Sequence, residues 1–179
     1  MNCLILCGST NPAGQTAQAA SAFREGLEAS QALVETVFLP KMNLHHCKQC
    51  GADGWGICRT NGRCVIEDDL AGLLDKIAGA DMVVFATPVY YSDLSESMRA
   101  FLDRARRVGQ IRKGVPAVGI CVAGGGGGGA PQCCVQLEKI IGIIGFDVWD
   151  MVPVRRQNLQ VKTEILRESA RRYAEMMAQ

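Results

Sequence analysis

Short apolar runs alternate along this chain with stretches whose apolar positions recur every three or four residues, and this alternation narrows the fold more than any other feature. The strand-like runs are "NCLILC" from Asn2, "ALVETVFLP" ending at Pro40, "DMVVFATP" ending at Pro88, "PAVGICVAG" from Pro116 and "FDVWDMVPV" from Phe146. Between and after them lie helical patterns opening at Gly14, Glu67, Leu94, Gln132 and Thr163. Strands that alternate with helices imply strand-helix-strand units, so an α/β, doubly wound, five-stranded parallel sheet with helices on both faces is expected. The acids of "EDDLAGLLDKIAGA" suit the positive end of that helix dipole. One long stretch, about residues 41–66, shows no period, and loops of that length in compact domains are usually functional or disordered.

A chain of 179 residues that is 48% hydrophobic can bury a core of its own, which favours a single domain over residues 1–179. Lysine plus arginine (19) nearly balances aspartate plus glutamate (18), so no overall field recommends nucleic acid or an anionic membrane, and a small ligand is expected. The apolar runs are far short of a membrane span, and "MNCLILCGST" has no basic region before a cleavable apolar segment, so a cytoplasmic protein is expected. There the odd count of nine cysteines argues for metal, cluster or packing roles rather than disulfides.

In a doubly wound sheet a ligand sits beyond the carboxyl ends of the strands, so the loops after strands one, three and four belong together. The first, "GSTNPAGQTA", leads into a helix N-terminus that can hold a phosphate, or is an ordinary cap made by Ser9 or Thr16. In the second, "TPVYYSDLSESM", Tyr90 and Tyr91 can flank a planar ring, or sit as aromatics at the edge of the core. The third, "AGGGGGGAP", lets backbone pass close to a flat ligand, or is a flexible linker.

The first loop resembles the "GSPRxxGNT" phosphate loop, and "ATPVYYSDLSESMRAFLDR" the "TPVYYxxxSxxLKxFxDR" segment, of the flavodoxin-like NAD(P)H-dependent FMN reductases, including their iron-sulfur flavoprotein branch. The resemblance runs from Met1 to about Gly145. It implies strand order 2-1-3-4-5 and noncovalent FMN, with Ser9, Gln15 and Thr16 at the phosphate. Pro88, Val89, Tyr90, Tyr91 and Ser92 would hold the isoalloxazine, and Ala123, Gly124 and Gly125 would flank it. Asn11 stands in the phosphate loop where many relatives carry an arginine, which removes a guanidinium from that region.

Between the second strand and the next helix the same family often carries "CxxCxxC...GxCVIxDDM", whose cysteines ligate a [4Fe-4S] cluster in the iron-sulfur branch. Here "GRCVIEDDL" is intact, but Cys47, Cys50, Cys58 and Cys64 are separated by 2, 7 and 5 residues rather than compactly. Four thiolates can bind a cluster or zinc, and free thiols are the alternative. The two ends of the segment are anchored near one sheet edge and glycines at 51, 54, 56 and 62 permit turns, so the four cysteines are expected to converge. His45 and His46 can replace one of these ligands or be plain polar loop residues, and Arg104, Arg106 and Arg107 read as the solvated end of a helix. Cys3, Cys7 and Cys121 read as small buried hydrophobes.

The resulting expectation is an FMN-dependent oxidoreductase that takes hydride from NAD(P)H and passes electrons to a small acceptor such as a quinone, a nitro or azo compound, or free flavin. No side chain serves as general acid or base, because the flavin carries the chemistry. The alternative is an electron carrier using FMN and a [4Fe-4S] cluster with a ferredoxin donor, and a third reading is a flavin-binding or zinc-stabilised module without turnover. A shallow site at strand ends leaves a ring face for a partner subunit to cover, and the resemblance implies a homodimer or homotetramer, with Trp55 and Ile57 at the contact unless Trp55 folds back on its own domain.

Overall fold

The computed structural model describes residues 1–108 and 113–178. Strands β1 (Asn2–Cys7), β2 (Leu33–Phe38), β3 (Met82–Pro88), β4 (Pro116–Ala123) and β5 (Asp147–Arg155) form one sheet in the order β2-β1-β3-β4-β5, every neighbouring pair parallel. All seven residues of central β3 are buried, as a parallel strand covered on both faces requires. Successive side chains still divide between the faces. Ile5 and Val84 pack under α1 (Gln15–Ala29) and α6 (Leu159–Met177) with Phe23, Leu27 and Leu166. Leu6 and Phe85 pack under α3 (Leu70–Ala78), α4 (Glu96–Val108) and α5 (Ala130–Ile144) with Leu73, Phe101 and Leu137.

Helices α3 to α6 start two to four residues from the positions expected, and two further departures change the kind of element. Strand β2 stops at Phe38, and Leu39–Lys41 form a 3-10 turn, because Pro40 has no N–H to continue a ladder. The long segment before α3 contains a sixth helix, the single turn α2 (Cys58–Asn61), closed by Gly62 at φ 63°. Cys3, Cys7 and Cys121 are buried in strands as expected, and burial first, then Asp81, pushes the Cys3 thiol up to about 11. No described helix is long and apolar enough to cross a membrane.

Helices α1 and α6 approach closely at Gly26, where a Cβ would lie 2.1 Å from the carbonyl oxygen of Arg167 and 2.8 Å from the Ala170 Cβ. Gly26→Ala must therefore push α6 outward. We expect a net loss of about 1–3 kcal/mol in urea unfolding, despite the ~1 kcal/mol by which alanine favours a helix. An unchanged midpoint would show that the two helices slide apart freely.

The chain runs from β1 outward to β2 and then back across to β3, so the winding reverses between β1 and β3. A crevice opens there beyond the carboxyl ends of the strands.

Candidate functional site

The first loop leaves the sheet at Gly8, whose N–H donates to the Ala86 carbonyl at 2.8 Å. Ser9, 8% exposed, bonds the main chain of Asn11, and Asn11 Oδ1 accepts the Ala13 N–H at 2.9 Å. These two side chains hold the turn and do not cap α1. The N-cap is Gly14, with no side-chain cap and no acid in the first turn, so the first N–H groups of α1 have no side-chain acceptor among the described residues. Gln15 is half-buried at the start of that helix and Thr16 is buried behind it.

In the second loop Pro88 is the buried end of β3, and the Val89 N–H donates to the Val122 carbonyl at 2.9 Å. Tyr90 and Asp93 then exchange two main-chain hydrogen bonds, 3.0 and 2.9 Å, around Tyr91 at φ 51° and Ser92 at φ 66°. Two positive φ values inside such a bridge make a type I′ turn, normally built from Asn-Gly, so Tyr-Ser here is held under backbone strain of the kind found at ligand sites. Tyr91 is fully exposed at the tip and Tyr90 largely exposed, so neither belongs to the core edge. The base of the loop is fixed by buried Thr87, whose Oγ1 accepts the Ser95 N–H at 3.0 Å, while Ser95 Oγ accepts the Met98 N–H and caps α4.

The glycine loop is not a slack linker. Gly127, at φ +71°, lies against Arg155, and Gly129 against Ser92, where a Cβ would come within 2.6 and 2.8 Å respectively. Gln157 Nε2 donates to the Gly125 carbonyl at 2.9 Å. Buried Ala123 ends β4, and Gly124, Gly125 and Gly126 face open space. The loops are also tied to each other, because Ser97 Oγ donates to the Gly8 carbonyl and a Cβ at Gly8 would lie 2.4 Å from Ser95 Oγ. All twelve residues expected at the flavin thus occupy three abutting loops. The fixing residues Thr87, Ser95, Ser97, Arg155 and Gln157 escaped the sequence reading, although the hydroxyl-rich "SDLSES" was a signal for three loop-anchoring bonds. An uncapped helix start, a strained turn and an open glycine cradle fit a phosphate joined to a flat ring.

Beside these loops, the cysteine segment is pinned at both ends. The main chains of Asn43 and His45 donate to Asp69 and Asp68 at 2.7 and 2.9 Å. The acids before α3 therefore tie down the segment and also stand at the helix start, where Asp69 is the N-cap and Asp68 Oδ1 accepts the Leu70 N–H at 3.3 Å. Asp68 pairs with both terminal nitrogens of Arg104, one at 3.0 Å, and Arg104 also donates to the His45 carbonyl at 3.0 Å. Burial works against the Asp68 charge, but hydrogen bonds from Arg104, then from the main chains of His45 and Leu70, outweigh it and hold the carboxyl below its usual range.

Arg104 is thus 2% exposed and not part of a solvated helix end. It shares the inward face of α4 with Phe101 and Val108, which carries its charge under the insertion. Arg107 departs from the expectation too. It donates to the Gly54 carbonyl at 2.7 Å and stacks 4.6 Å from the Trp55 ring centroid, so Trp55 folds back onto its own domain. Arg106 is exposed.

Cys47, Cys50, Cys58 and Cys64 all border one cavity of about 20 Å³, along with Arg104 and Arg107. That is room for about one water-sized body. Arg104 Nε, also buried, has no hydrogen-bond partner among the described residues. The donor set suits a thiophilic metal, yet among the described residues no three of His, Cys, Asp or Glu are arranged to hold one. His46 does not join the cysteines; its Nε2 lies 3.1 Å from Glu96.

Several known proteins are similar to this chain in sequence or in fold. An iron-sulfur flavoprotein of Archaeoglobus fulgidus is 28% identical over 158 residues, 86% of this chain and 66% of that protein. An iron-sulfur flavoprotein of Methanocaldococcus jannaschii is 33% identical over 134 residues, 70% of this chain and 65% of that protein. The chain therefore spans just under two thirds of the length of these relatives. Among solved structures, the NAD(P)H:quinone oxidoreductase from Methanothermobacter marburgensis superposes with TM-score 0.70 at 20% identity, over 97% of this chain and 96% of that one. An azoreductase from Bacillus anthracis gives 0.66 at 15% identity, over 97% and 98%. Both share the flavodoxin-like fold. The sequence pattern of NADPH-dependent FMN reductases matches residues 1–163, and the chain belongs to that family.

Proposed function

We propose that this protein is an FMN-dependent oxidoreductase that accepts hydride from NAD(P)H and passes the electrons to a small acceptor such as a quinone, a nitro or azo compound, or free flavin. The observation that carries this reading is the mutual bracing of the three loops around the strand ends. Ser9, Asn11, Gln15 and Thr16, with the uncapped N–H groups of α1, would hold the phosphate. Pro88 to Ser92 and Ala123 to Gly125 would hold the ring, with main-chain N–H groups near the atoms that become anionic on reduction. Bound FMN supplies the redox chemistry. The solved structures of similar fold named quinone oxidoreductase and azoreductase are in keeping with a small organic acceptor.

Anaerobic titration of FMN-reconstituted protein with NADPH and with NADH tests the reading. Bleaching of the flavin absorbance by either nucleotide is expected, and persistence of the oxidised spectrum with both would overturn it. A second reading, an electron carrier using FMN and a [4Fe-4S] cluster with a ferredoxin donor, is favoured by the four cysteines around one cavity and by relatives named iron-sulfur flavoproteins. Iron and sulfide in anaerobically purified protein would support it. The cavity as it stands is not a ligand shell, and the first reading needs no metal. A cytoplasmic homodimer or homotetramer completes the proposal, with exposed Ile57 at the contact.

A further inference from the structure

Three thiols meet between β4 and α5. A Cβ at Gly119 of β4 would come within 3.0 Å of Leu137 Cδ2 of α5, so strand and helix pack closely there. Since α5 joins the parallel strands β4 and β5, it runs back against β4. Cys121 stands two residues onward on the same face of the strand, and Cys133 stands one turn back from Leu137, with Cys134 beside it. The two steps match, about 7 Å along the strand and about 6 Å along the helix, and this brings the thiols together. All three are free and lie in one buried cluster, and Cys121 hydrogen-bonds with both of the others.

They differ in access and in charge. Cys121 and Cys133 are fully enclosed, whereas Cys134 keeps 6% of its surface exposed. Hydrogen bonds to Cys133 and Cys134, and then burial, push Cys121 up, so it stays a thiol and donates. Its bond to Cys134 outweighs burial and the charges of Asp150 and Glu138, and with Lys162 it holds the Cys134 thiol below its ordinary value. A favoured thiolate that touches the surface, backed by a second thiol within reach, is the arrangement that reacts with peroxides.

We propose that Cys134 and Cys121 form a peroxide-reducing dithiol, in which Cys134 attacks hydrogen peroxide and Cys121 resolves the product. The Cys134 sulfur bonds to one peroxide oxygen, the O–O bond breaks, and the departing oxygen takes the Cys134 proton and leaves as water. Cys134 is then a sulfenic acid. The Cys121 sulfur attacks it, the S–O bond breaks, and the hydroxyl leaves as a second water with the Cys121 proton. Two thiols have given two electrons to one peroxide, and the disulfide that remains is reversed by exchange with an external dithiol. The bond would join the two ends of the glycine loop, because Cys121 precedes Ala123 by two residues and Cys134 follows Gly129 by five. None of these steps requires flavin, so the outcome is independent of the titrations with NADPH and NADH.

The test treats the full chain, prepared under reducing conditions, with hydrogen peroxide. Remaining thiols are blocked with iodoacetamide in denaturant, and the protein is then reduced and labelled with N-ethylmaleimide. Trypsin leaves all three cysteines on the fragment Gly114–Lys139, whose fragmentation spectrum reads the label at each position. Maleimide is expected on Cys121 and Cys134 and iodoacetamide on Cys133, with iodoacetamide at all three in untreated protein. In Cys121→Ser the oxidation should stop at the sulfenic acid, captured by dimedone on Cys134. The parent alone decides the assignment should that variant fail to fold. Iodoacetamide at all three positions after peroxide, or maleimide on Cys133 in place of Cys134, would overturn it.

Discussion

Replacing Asp68 with alanine is expected to remove about 3–5 kcal/mol of unfolding free energy, the range for breaking one side of a buried ion pair. The loss comes from stranding the Arg104 guanidinium, which would keep its burial and the His45 carbonyl but lose its counter-charge. The double change Asp68→Ala with Arg104→Leu should recover part of it, since an apolar side chain leaves no charge uncompensated. The sign of the pH dependence follows from the carboxyl lying below its ordinary 3.8 in the folded protein. Between the two values the unfolded chain binds more protons, so stability rises with pH there. The contribution is complete above the unfolded value and is lost as pH falls through the folded one. Urea denaturation from neutral to strongly acid pH should therefore show a decline in the parent that is weaker in the variant. A loss below about 1 kcal/mol would place the Asp68–Arg104 pair among ordinary surface contacts.

Gly129→Ala should cost flavin affinity more than it costs fold. The new Cβ would lie 2.8 Å from both the Cα and the Oγ of Ser92, and a main-chain neighbour cannot rotate aside. Gly129 has an ordinary φ of −83°, so alanine brings no backbone strain of its own. The whole effect falls on the contact between the glycine loop and the Tyr91–Ser92 turn. Displacements near 1 Å at a positioned site can cost about a hundredfold, and a loss of FMN affinity of about tenfold or more is expected from fluorescence titration of the apoprotein. Gly128→Ala, with nothing within 4 Å of its Cβ, is the control and should bind FMN like the parent. Equal affinity in all three proteins would separate the glycine loop from the flavin.

What the sequence revealed and what it hid divide along physical lines. The continuous apolar runs of β1 and β3 are local patterns, so the sheet and its three carboxyl-end loops were legible. The placement of Arg104 was not read from its neighbours Arg106 and Arg107, since a run of three arginines looks solvated. Helical spacing put it on the stripe of Met98, Phe101 and Val108, and that was the signal available. Its partner, Asp68, is 36 residues away, a distance only the folded chain closes. The strained turn was hidden for another reason: nothing in "YYSD" announces positive φ at Tyr91 and Ser92, because the turn is imposed by its surroundings, not by residue preference.

The pinned ends of the cysteine segment bear on how such chains diverge. With Asn43 and His45 fastened to Asp69 and Asp68, the residues between them form a closed loop whose ends stay together whatever its length. The entropy of closing a loop grows only logarithmically, so doubling the length of a flexible one costs about 0.6 kcal/mol. Insertions such as the seven residues between Cys50 and Cys58 are therefore nearly neutral for folding, and descendants can lengthen or shorten the spacing between thiols without disturbing the sheet. The segment is in effect an exchangeable cassette, and grafting a compact cysteine loop between the same two clasps is a practical route to changing what the protein carries there.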